Sequence, residues 1–70
     1  MDLAYGLFMA EAEGYLGPHS DIIPDIIRDA NMLIRSGESI AAAIVEASAL
    51  NGVEYSSLTS EEMKRIRQAL

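Results

Sequence analysis

The chain has no cysteine, no tryptophan, one histidine, and five basic residues against eleven acidic ones. Without cysteine, disulfides, thiolate-bound zinc, thiol nucleophiles and redox switching are all excluded, and a cytoplasmic setting is the expectation. The lone His19, beside Pro18 in a Gly-Pro turn, reads as a solvated loop residue rather than a base or a ligand. Glycine-rich phosphate loops are missing, since "GES" and "NGV" lack the further glycines and the lysine of such a cradle. Long hydrophobic runs are missing too. The opening "MDLAYGLFMAEAEGYL" is apolar, but Glu11 and Glu13 interrupt it and no basic region precedes it. It is read as neither a signal peptide nor a spanning helix, which needs about 20 apolar residues.

The shortage of positive charge is uneven. Residues 1–57 carry nine acids against Arg28 and Arg35, a net −7, whereas residues 58–70 set Glu61 and Glu62 against Lys64, Arg65 and Arg67, a net +1. An acidic body repels phosphate backbones and anionic lipid head groups, so nucleic acid and membranes are expected to be poor partners. Half of the residues are hydrophobic, too many for a disordered chain.

What is present is helical periodicity. No alternating strand pattern occurs, and four short helical segments separated by turn signals predict an all-α, compact bundle in a single domain, residues 1–70. The first segment runs from Asp2 to Leu16 and stops at Gly17-Pro18. Gly6, Ala10 and Gly14 recur every four residues and give it one side without bulk, suited to close approach of another backbone. The second starts within "SDIIPD", either capped by Ser20 or beginning at Ile23, with Pro24 in its first turn. Its stripe is Ile23, Ile26, Ile27, Ala30, Leu33 and Ile34, with Asp25, Arg28, Asp29 and Arg35 facing away and Gly37 at its end. In the last segment, "LTSEEM" carries a capping box, Thr59 with Glu62, and Leu58 and Met63 take the positions of a hydrophobic staple. Its core face is Met63, Ile66 and Leu70. Acids lead and bases follow, as the helix dipole favours.

The third segment, "SIAAAIVEASAL", runs from Ser39 as N-cap to Leu50 and holds one charged side chain, Glu46. Ile40, Ala43, Ile44 and Ala47 share one side, yet Ala41, Val45 and Ala49 leave no polar face, which is the pattern of a buried helix. A chain this short buries only about 60% of its unfolded surface. Three other short helices, each with an apolar face of its own, would leave this one partly uncovered. Self-association is the economical remedy, and two-fold dimers are the commonest form. A homodimer is expected, through Ile40, Ala43, Ile44 and Ala47 together with Gly6, Ala10 and Gly14.

Catalysis has little to work with. "PHSD" contains the residue types of a triad, but adjacent positions cannot converge on one point. Asp21, Asp25 and Asp29 share a helix face, yet calcium would want loop carbonyls and tighter spacing. No catalytic residue, cofactor or metal is expected. Within residues 46–70, "EASALNGVEYSSLTSEEMKRI" reads as helix, Asn-Gly turn and helix, a degenerate helix-turn-helix. Its second helix would begin with Thr59, Ser60, Glu61 and Glu62 and set carboxylates against phosphate. "GESI", Gly37 to Ile40, resembles the Asp-Ser-Leu attachment site of acyl and peptidyl carrier proteins, and "NGVEY" resembles the segment after that family's second helix. The resemblance implies Ser39 as a phosphopantetheine acceptor. Glu38 stands where that family has Asp and Ile40 where it has Leu, and an amphipathic helix replaces its long loop. An N-cap accounts for Ser39 more simply.

The expected function is the binding of another protein by a small acidic inhibitor, adaptor or regulator. The alternatives are a DNA-binding regulator using residues 46–70 and a carrier modified at Ser39. Partner-facing candidates are Met32, an adaptable side chain among charges, and Tyr5, Tyr15 and Tyr55, of a type enriched at interfaces. Asp21, Asp25 and Asp29 would steer toward a basic partner surface.

Overall fold

In the computed structural model, which describes residues 17–70, the isoleucine stripe becomes helix α1, Ile23–Arg35. The segment read as a first helix, with Gly6, Ala10, Gly14, Tyr5 and Tyr15, lies outside the described residues. Ser20 does not cap α1. Residues 17–22 form turns closed by Ser20 N–H to Gly17 O (3.2 Å) and Ile22 N–H to His19 O (3.0 Å), and Pro24 sits in the first helical turn, where its missing N–H is no loss.

α1 ends in a Schellman motif, with Glu38 N–H reaching Leu33 O and Gly37 N–H reaching Ile34 O, both at 3.0 Å. A short connection then leads into α2, Ile40–Leu50, whose N-cap is Ser39, its Oγ accepting from Ala42 N–H at 3.1 Å. So short a link folds α2 back on α1. Ile23, Ile26 and Ala30 pack with Ala43, Ile44 and Ala47 in one core that Val53 and Ile66 complete. The alanines let the two backbones approach closely. Burying one isoleucine contributes about 1.5–3 kcal/mol, so Ile26, Ile44 and Ile66, none with exposed surface, outweigh any single cap. Gly52, at φ +75°, adopts a conformation that costs a side chain dearly. It lets Val53 N–H reach back to Ser48 O (2.9 Å) and turns Val53 into the core.

The 3-10 turn Tyr55–Ser57 leads into α3, Ser60–Gln68. The capping box forms as read: Thr59 Oγ1 accepts from Glu62 N–H (3.1 Å), and Glu62 Oε1 accepts from Thr59 N–H (2.9 Å). α3 rests on α1 through Ile66, with Leu58, Met63 and Leu70 partly buried against the same core. Among the described residues the fold is all-α, with three α-helices and no strand. No helix there is long and apolar enough to cross a membrane.

Candidate functional site

The face assigned to a second copy is spent within the chain. Ala43, Ile44 and Ala47 have no exposed surface because α1 covers them, and only Ile40, at the start of α2, remains about half exposed. An apolar helix face attracts whichever apolar face is nearest, and the α1–α2 connection brings α1 there first. Val45 and Leu50, on the far sides of α2, stay exposed.

The acidic row is likewise not the free anionic face expected of it. Arg28 sits between its members, with Nη1 donating to Asp25 Oδ1 (3.1 Å) and Nε to Asp29 Oδ1 (3.2 Å). Asn51 Nδ2 donates to Asp29 Oδ2 (2.9 Å) and also to Ala47 O (2.8 Å), tying the end of α2 to α1. These bonds, first from Asn51 and then from Arg28, hold the Asp29 carboxyl below its ordinary pKa. Asp21 is the exposed one of the three, Asp25 and Asp29 being half-buried. Met32 is 60% exposed on α1.

His19 is not the solvated loop residue it was read as. Its backbone N–H donates to Glu62 Oε2, and its ring Nδ1 lies 3.1 Å from Glu62 Oε1. The two residues are 43 apart in sequence, so no local pattern could announce the pair. Glu62 itself is completely buried, which leaves Glu61 as the exposed carboxylate at the start of α3. Burial pushes the Glu62 carboxyl up, but donation from Thr59 N–H and from the His19 ring and amide outweighs it and holds the pKa below the usual value. Gly17 completes the pocket by having no side chain, since a Cβ there would come 2.6 Å from Glu62 Cδ. The carboxylate is wholly enclosed while the His19 ring stays partly exposed, and the cluster seats α3.

The exposed feature with a shape lies on the other side of α3. Tyr55, Leu58 and Met63 floor an open groove of about 680 Å³, edged by Ser56, Lys64 and Arg67. It exists because the 3-10 turn is closed locally, by Ser57 N–H to Glu54 O (2.9 Å) and Leu58 N–H to Tyr55 O (3.2 Å), and so leaves Tyr55 39% exposed. Tyr55 also lines a second, smaller depression of about 480 Å³ with Val45, Ala49 and Val53, and so borders both. Of the partner-facing residues read from sequence, only Tyr55 belongs to this surface. Met32 does not line it, and Tyr5 and Tyr15 lie outside the described residues. Leu58 and Met63 were read as a hydrophobic staple, Met63 also as core, and Lys64 and Arg67 as a solvated basic end. The signal that could have joined them is a tyrosine nine residues before the one basic stretch of an acidic chain. Among the described residues no group of three or more His, Asp or Glu comes together to hold a metal ion. No protein-family model matches the chain, and neither a curated protein nor a solved structure does.

Proposed function

We propose that the chain is a non-enzymatic protein-binding module, acting as a small inhibitor, adaptor or regulator through the Tyr55–Leu58–Met63 groove. The observation that carries this reading is that groove: an apolar floor held open on a capped helix and a locally closed turn. Aromatic and methionine side chains set in a polar rim are the composition of recognition surfaces. The test is site-specific photo-crosslinking in the native host, with a benzophenone side chain at Ser56 or, as control, at Met32. A discrete protein adduct from Ser56 and none from Met32 is the expected result; equal labelling from both positions counts against the groove.

The module is further taken to be a homodimer, supported by the exposed Val45 and Leu50 on α2 rather than by its buried face. Light scattering during gel filtration is expected to give about twice the 7.6 kDa chain mass, and a mass near 7.6 kDa at all concentrations removes the dimer. The DNA-binding alternative draws on the exposed Lys64, Arg65 and Arg67, while Glu61 stands against it. Titration with duplex DNA at low salt separates the two, since backbone binding weakens steeply with added salt.

A further inference from the structure

We infer that the groove takes an acidic amphipathic segment of a partner protein, seated with its apolar face on Tyr55, Leu58 and Met63 and its carboxylates against Lys64 and Arg67. The inference rests on the protein-binding reading above and reverses the sign of partner charge that the sequence suggested. Two facts carry it. Two of the three acids expected to attract a basic partner are engaged at home: Asp25 and Asp29 are bound by Arg28, and Asp29 by Asn51 as well, which leaves Asp21 alone exposed. The bases of α3, by contrast, are exposed, and two of them edge the groove, which no carboxylate lines. The rest of the chain is net acidic, so an acidic partner is repelled everywhere except along this helix, which fixes where it lands. An amphipathic helix suits the shape, because apolar side chains at helical spacing match a floor of three residues while the flanking positions meet the rim.

The probe is a fluorescein-labelled synthetic helix of about 14 residues, with leucine at i, i+3, i+4 and i+7 and glutamate elsewhere. Its controls are the same helix with lysine for glutamate and a scrambled leucine–glutamate sequence. The full-length chain is titrated into each and anisotropy is read. Binding of the glutamate helix alone is expected, weakened at least about tenfold in a Lys64→Glu/Arg67→Glu variant and by added salt. Tyr55→Ser, also at an exposed position, should weaken it without that salt dependence. Circular dichroism checks that both variants keep wild-type helicity. Equal binding of the lysine helix, or no effect of the charge reversal, overturns the inference. So does displacement of the probe by duplex DNA, which would make the rim a phosphate site. Stronger displacement by an unlabelled peptide of residues 1–16, which contains Asp2, Glu11 and Glu13, overturns an external partner in favour of the chain's own segment. If no probe binds while the Ser56 cross-link persists, the groove binds protein of other chemistry and only this inference fails. If the cross-link is absent too, both readings fall.

Discussion

Replacing Glu62 by glutamine changes one atom and should cost the protein a large share of its stability. Three N–H groups converge on the two carboxylate oxygens: Thr59 N–H and the His19 ring on Oε1, and His19 N–H on Oε2. An amide offers only one acceptor oxygen. With that oxygen at the Oε1 position, the NH2 faces His19 N–H; flipped, it faces Thr59 N–H. Either way at least one buried donor is left without a partner, at about 1–3 kcal/mol. Loss of the negative charge from a helix N-terminus adds about 0.3–1 kcal/mol. The total, roughly 1.5–4 kcal/mol, compares with on the order of 4–10 kcal/mol for a domain of this length. The melting temperature should therefore fall by about 6–30 °C, given the usual 4–8 °C per kcal/mol. Urea and thermal melts followed by circular dichroism read this directly, with the exposed Glu61→Gln as control. His19→Ala should cost less, about 1 kcal/mol, because the backbone donor survives. A Glu62→Gln protein within about 0.5 kcal/mol of wild type would refute the reasoning, for the buried donors would then have found other partners.

The same carboxylate sets an acid limb. Its depressed folded-state pKa gives stabilisation that is complete above the ordinary 4.5 and is lost as pH falls through the lower folded value. Wild type should lose stability below about pH 4.5 more steeply than Glu62→Gln, and parallel profiles would contradict the assignment. Gly17→Ala should destabilise by about 1–3 kcal/mol, since its Cβ would fall on a carboxylate held by three donors and unable to swing aside; an unchanged urea midpoint would mean that the turn relaxes freely. Ser48→Ala should stabilise by about 0.5–1 kcal/mol, because the buried Oγ finds no hydrogen-bond partner among the described residues and alanine suits a helix interior better. A loss of stability would reveal a bond that the geometry does not show.

Features that depend on neighbours in sequence were legible in advance. The Thr59–Glu62 box, the Ser39 cap, the stops at Gly37 and Gly52 and the stripe of α1 all formed where local chemistry placed them. What periodicity names is a face, never its cover. Ala43, Ile44 and Ala47 were read as a buried side of α2, and they are buried, but nothing local distinguishes a second copy from α1 as the covering surface. Arg28 illustrates the converse: one basic residue interleaved among acids pairs with two members of an apparent steering row, Asp25 and Asp29. The Glu62 hub was half legible, its capping role being local and its His19 partners distant. The groove was illegible as a shape, because it depends on how the 3-10 turn holds Tyr55 away from the core.

The span between His19 and Glu62 also has a bearing on kinetics. α1 and α2 are joined by a link of a few residues, whereas seating α3 closes 43 positions of chain, at an extra entropic cost of about 2 kcal/mol. The helical hairpin should therefore form first in refolding and α3 should dock last, and in the native state α3 should lift away most often. Because Met63, Lys64 and Arg67 travel with α3, each lifting event dismantles the groove. An occupant of that groove would then slow hydrogen exchange at the His19 amide, a residue it never touches.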